Sequence, residues 1–127
     1  MSSKQIHLTN LPIPVSANHM HAYRRGRVTR SKAYQTWMLE CRCRVGAYPG
    51  KVSGIVSVQL TVTGGAGWRA NRDLDNIIKP TIDLLRYLHV IKEDHTGIVR
   101  QITATFLPGT GAPATMTVTV TPQGEDV

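Results

Sequence analysis

Between residues 54 and 63 the chain alternates. Val56, Val58, Leu60 and Val62 fall on one side, and Ile55, Ser57, Gln59 and Thr61 on the other. A period of two marks a strand buried on one face. Such a strand is not stable alone, so the rest of the chain must supply partner strands and a layer to cover the apolar side. Residues 98–107 and 115–121 read as two further strands, with the segment from Pro108 to Pro113 as the turn between them. Residues 5–8 read as a short opening strand. The following Leu11-Pro12-Ile13-Pro14 cannot take a central sheet position, because proline lacks the amide donor.

Two helices complete the pattern. Ser31 or Thr29 can cap the first, over residues 32–45, with Ala33, Trp37 and Cys41, or Tyr34, Met38 and Cys41, at helical spacing. The second lies between about residues 75 and 88, with Ile78, Ile82 and Leu85 on one face. Pro80 fits only a first turn, so regular helix is expected from near Lys79. Residues 16–30 are polar and basic and read as an ordered loop or irregular hairpin. Gly64-Gly65-Ala66-Gly67 opens a flexible loop after the alternating strand. The expected order is β, loop, α, β, α, β, β: an α+β domain with a small mixed sheet and two main helices, one domain over residues 1–127. Cys41 and Cys43, two apart in the first helix, point to roughly opposite sides, which disfavours a shared metal and favours free thiols.

Charge is unevenly placed. The net charge is +7, and before Asp73 the only acidic residue is Glu40. Such a bias is the electrostatic footprint of a nucleic-acid binder. Arg24, Arg25, Arg27 and Arg30 in the basic loop are candidate phosphate contacts. Arg69 and Arg72, next to the acidic residues described below, are candidates for the scissile region. The N-terminus has no signal-peptide pattern and no apolar run is long enough to cross a membrane, so a cytoplasmic location and no membrane partner are expected.

Within this basic chain stands an acidic island, Asn71-Arg72-Asp73-Leu74-Asp75-Asn76-Ile77-Ile78-Lys79, followed later by Glu93-Asp94-His95. Carboxylates repel phosphate unless a cation sits between. Two of them at ~4 Å and an effective dielectric of ~20 also repel each other by about 4 kcal/mol, a cost that a divalent cation removes. Asp73 and Asp75, two apart, share a side in an extended or loop segment but not in a helix. They are therefore expected just before the regular helix, with Asp94 brought to them by the fold. Magnesium takes such oxygen ligands and promotes phosphodiester hydrolysis. Lys79, one helical turn after Asp75, can hold a phosphate or leaving-group oxygen. The segment lacks the glycine of a calcium loop, and the Gly64 loop lacks the Lys-Ser/Thr of a P-loop.

The pattern Arg72-Asp73-Leu74-Asp75-Asn76, then Lys79, then an acidic pair ending at Asp94, resembles the RusA family of Holliday junction resolvases. Leu11-Pro12-Ile13-Pro14-Val15-Ser16-Ala17-Asn18 is similar to that family's N-terminal proline-rich stretch, and Arg25-Gly26-Arg27 with the following helix also fits. The resemblance implies a homodimer, bacterial or encoded by a phage, that binds four-way DNA junctions in recombination and repair. It implies paired symmetric nicks made with Mg2+ or Mn2+ and with no small-molecule cofactor. Asp73, Asp75 and Asp94 are then the metal-binding carboxylates and Lys79 the catalytic lysine. Glu93 stands where another Asp is expected, and Ala17 replaces one of two paired asparagines. Trp68 is a candidate for stacking on an unpaired base near the crossover, or else packs against its own protein. Two alternatives remain: a non-catalytic basic DNA-binding module, and a less selective metal-dependent nuclease of flaps or other branched DNA.

Overall fold

The computed structural model describes residues 4–69, 72–93, 97–109 and 112–123, with Arg24 described by its backbone alone. Strands β1 (Ile6–Pro12), β4 (Val56–Thr63), β5 (Val99–Leu107) and β6 (Thr115–Pro122) form a four-stranded sheet in the order β1-β6-β4-β5. Strands β2 (His21–Arg24) and β3 (Arg27–Arg30) form a separate hairpin. The helices are α1 (Lys32–Val45) and α2 (Ile78–Tyr87). β6 runs antiparallel to both β1 and β4, whereas β4 and β5 are parallel, so this is an α+β fold with a mixed sheet and two main helices.

The alternation of β4 is realised as expected. Val56, Val58, Leu60 and Val62 are buried together with Met116, Val118 and Val120 of β6. The helices supply Tyr34, Trp37, Met38 and Cys41 from α1, and Ile82, Leu84 and Leu85 from α2, to the same hydrophobic cluster. Of the two faces open for α1, the Tyr34 face is the inner one, with Trp37 added; Ala33 is exposed. On the other side of the sheet Gln59, Thr103 and Thr105 meet solvent. Among the described residues no helix is long and apolar enough to cross a membrane.

Strand β1 is longer than its sequence suggests and takes in Pro12. Its position reconciles this with proline chemistry: β1 is an edge strand, and Pro12 pairs with Thr115 at its end. The register shifts between Leu8 and Leu11, where Asn10 adopts φ 57°. The polar stretch after it is more ordered than a loop. A short 3-10 helix (Ala17–His19) leads into the β2–β3 hairpin, whose two-residue turn Arg25-Gly26 has φ 51° and 77°. Positive φ at both central positions matches the twist of the flanking strands.

Ser31 is the cap of α1. Its hydroxyl accepts from the Tyr34 amide at 3.1 Å and donates to the His19 carbonyl at 2.7 Å, so it fixes both the helix start and the preceding 3-10 helix. Cys41 is buried and Cys43 exposed, on opposite sides of α1. Burial pushes the Cys41 thiol up to about 12.

Two outcomes follow. Ser31→Ala should cost about 1–2 kcal/mol in urea unfolding, whereas Thr29→Ala, at an exposed hairpin position, should cost less than about 0.5 kcal/mol. A thiol reagent at pH 8 should modify Cys43 alone in the folded chain, and both cysteines once the chain is unfolded.

Candidate nucleic-acid site at the head of the second helix

The crossover from β4 to β5 carries the acidic island. Asp73 is extended (φ −78°, ψ 137°) and caps a short 3-10 helix, Leu74–Ile77, that runs directly into α2. The pair therefore does lie before the regular helix. Only Asp73 has the extended backbone expected of both, because Asp75 is already in the 3-10 turn. Pro80 occupies the first turn of α2, where its missing amide leaves no intrahelical bond unmade. Thr81, buried behind it, donates to the Ile77 carbonyl at 2.7 Å and so stitches the 3-10 segment to the helix.

Both Asp73 and Asp75 are exposed, and the Asp73 side chain accepts no hydrogen bond from the 3-10 helix it caps. Neither carboxylate is consumed by a salt bridge with a described residue. Two exposed carboxylates without a salt bridge to a described residue are a donor set that suits a hard divalent cation. Asp94, with its neighbour His95, lies outside the described residues. Among the described residues no three His, Cys, Asp or Glu side chains converge as a metal site.

Lys79 belongs to a network. Its Nζ lies 3.4 Å from Asp83 Oδ1, one turn along α2. Asp83 Oδ2 in turn accepts from the Tyr34 hydroxyl at 3.1 Å. The sequence pattern places Asp83 facing solvent; the structure instead half-buries it between the two helices, where it anchors Lys79. Burial and the Asp83 charge raise the Tyr34 phenol well above its ordinary value, which favours its role as donor to Asp83. Beyond the end of α2, Glu93 lies 3.7 Å from Arg86, so it pairs with a cation in the last turn of that helix.

Arg72 ties the island to the N-terminal proline-rich stretch. Its Nη2 donates to the Pro14 carbonyl at 2.5 Å. Its guanidinium stands 4.8 Å over the Trp68 ring, and Trp68 meets Phe106 at 5.5 Å between ring centroids. Burial lowers the Arg72 pKa from its ordinary value, and Arg72 Nε is buried without a hydrogen-bond partner among the described residues. An orphaned buried donor costs ~1–3 kcal/mol until an acceptor reaches it. Arg69 is exposed beside it. Trp68 is half-buried and packed against the core, so its inner side serves the fold while the loop still presents it at a hollow.

The motifs far apart in sequence are thus neighbours. Ser16, Asn18 and His19 line one hollow with Arg69, Arg72 and Asn76. Arg25, Arg27 and Arg30 are exposed on the β2–β3 hairpin; Arg24 is described by its backbone alone. The sequence reading missed two aromatics. Tyr23, 81% exposed, opposes Val28 near the hairpin tip. Its place among arginines was a legible signal, since stacking aromatics interleaved with cations suit nucleic acid. Phe106 reads only as a strand residue. Nothing in the sequence brings it to Trp68, because that contact comes from the parallel pairing of β4 and β5.

No protein-family model matches the chain, and no curated protein matches it in sequence.

Tyr34→Phe removes the donor that Asp83 accepts and should cost about 1.5–3 kcal/mol in chemical denaturation. Lys79→Ala breaks a pair whose lysine side chain is 58% exposed. It should cost less than about 1 kcal/mol, so loss of function in that variant would not be loss of fold.

Proposed function

We propose that this chain is a metal-dependent, structure-selective endodeoxyribonuclease that resolves four-way DNA junctions by paired nicks during recombination and repair. The observation that carries the reading is the pair Asp73 and Asp75, exposed and without a salt bridge to any described residue, within a chain of net charge +7. A surface that only binds phosphate has no use for exposed carboxylates next to its arginines in the chain, and a hydrolytic site does. The RusA-like pattern of the island agrees with it.

In this reading Asp73 and Asp75 would hold magnesium, with manganese as a substitute and Asp94 as the third ligand that the resemblance implies. When bound, the ion supplies an activated water and neutralises charge on the phosphate. The protein's own residues do the rest. Arg69 and Arg72 hold the phosphates on either side of the scissile bond. Lys79, steered by Asp83, offers its ammonium to a phosphate or leaving-group oxygen. Arg24, Arg25, Arg27 and Arg30 on the hairpin contact a more distant backbone, where each contact adds affinity and salt sensitivity without selecting sequence. Two cuts related by symmetry call for two copies of the site, which a homodimer provides.

Asp75→Asn should abolish cutting of a labelled four-way junction in magnesium, while gel-shift binding persists or tightens because a repulsive charge has gone. EDTA should abolish cutting by the wild type. Cutting by Asp75→Asn at the wild-type rate would remove the island from the chemistry. A junction shifted but left uncut by the wild type in either metal would leave a DNA-binding module.

A further inference from the structure

Arg72 stands between two hollows of different chemistry. One, of about 460 Å³, is lined by Gly64, Trp68, Leu74, Phe106 and Pro108. It is apolar and aromatic, with the Trp68 and Phe106 rings inclined at 33° to each other. The other, of about 380 Å³, is lined by Ser16, Asn18, His19, Arg69 and Asn76. It holds hydrogen-bond donors and cations, and no carboxylate among the described residues. Arg72 lines both. One of its donors is spent on Pro14, and Nε is buried without a hydrogen-bond partner among the described residues.

We propose that the two hollows together take one unstacked nucleotide of a DNA strand, its base against Trp68 and Phe106 and its phosphate in the polar hollow. Arg72 joins the halves, because it lines both hollows. The inference rests on the reading of the chain as a DNA enzyme but not on cleavage.

Three features support it. The aromatic hollow is of a size that admits one base, and base faces stack on aromatic rings whatever the sequence. A base inside a duplex has both faces covered, so only an unpaired base can enter; this gives the site a reason to prefer the unpaired positions of a branched DNA over a linear duplex. The hollow is also maintained by close packing. A Cβ on Gly64 would stand 2.5 Å from Phe106 Cζ, and a Cβ on Gly65 would collide with the Ala112 carbonyl oxygen. The glycines therefore let the loop after β4 sit directly on the end of β5, with the Phe106 ring across the seam.

The test is binding in EDTA, where no cutting occurs. A labelled single strand of ten thymidines is compared by fluorescence anisotropy with an abasic strand of equal length and charge. The wild type should bind the thymidine strand about tenfold tighter or more. Trp68→Ala should bind both strands alike, at the abasic level. Trp68→Phe should keep most of the preference. Phe106→Ala, at a position 40% exposed and so tolerant of truncation, should lose several-fold of it. Circular dichroism and a thermal melt on each variant verify folding, and Phe106→Ala carries the test if Trp68→Ala does not fold. Equal binding of both strands by the wild type would overturn the proposal, as would a preference that survives in a folded Trp68→Ala or Phe106→Ala. Displacement of the strand by equimolar thymidine monophosphate would overturn it too, by assigning the hollows to a free nucleotide. Loss of base preference alongside intact cutting would sink the hollows alone; intact preference without cutting would sink the nuclease reading alone.

Discussion

The parallel pairing of β4 with β5 is the constraint on which the rest of this structure depends. Antiparallel neighbours can be joined by a tight turn, but parallel ones need a long crossover. Here the crossover is residues 64–98, and it carries the glycine loop, Trp68, Arg72, both described island carboxylates and all of α2. The same pairing sets Gly64, at the end of β4, beside Leu107, at the end of β5, through an amide-to-carbonyl bond of 2.8 Å. The loop is therefore pinned where two parallel strands finish side by side, the position at which open sheets with crossover connections tend to hold ligands. The other strand pairs of the main sheet are antiparallel and contribute Met116, Val118 and Val120 of β6 and Leu8 and Leu11 of β1 to the core.

A second organising contact crosses from this loop to the start of the chain. Arg72 reaches Pro14, and the 3-10 helix that follows Pro14 is fixed by Ser31 at the head of α1. The N-terminal stretch, the first helix and the acidic island are thus linked by three hydrogen bonds in series. Tyr34, one turn into α1, extends the chain to Asp83 and so to Lys79 on α2. The cation that the proposed chemistry uses is positioned from two helices at once, so its orientation depends on the core and not on a mobile side chain alone.

Much of the fold was legible because local physics and tertiary packing agree. The alternation of β4, the serine cap of α1 and the first-turn Pro80 each dictate one local conformation, and the core accepts it. Pro12 is kept out of the sheet centre as its chemistry requires, but the length of β1 was not legible, because an edge strand can end on a proline. The Arg25-Gly26 turn was only partly legible: the glycine invites a hairpin, but an arginine at positive φ is not a usual signal. At the site, the island could be read from charge contrast alone. Asp83 could not, since its burial depends on how Tyr34 of another helix meets it. Phe106 was hidden for the same reason, and the hollow it lines exists only once the strand pairing is known.

If carboxylates in this basic chain mark hydrolysis of branched DNA, the substrate decides the rate. The decisive comparison is of initial rates of cutting of a four-way junction, a flap and a linear duplex of shared sequence, each in magnesium. Paired, symmetric nicks in the junction are expected, with the flap and duplex cut far more slowly. Equal rates on all three would contradict junction selectivity and leave a general nuclease, and no cutting of any of them would contradict hydrolysis itself.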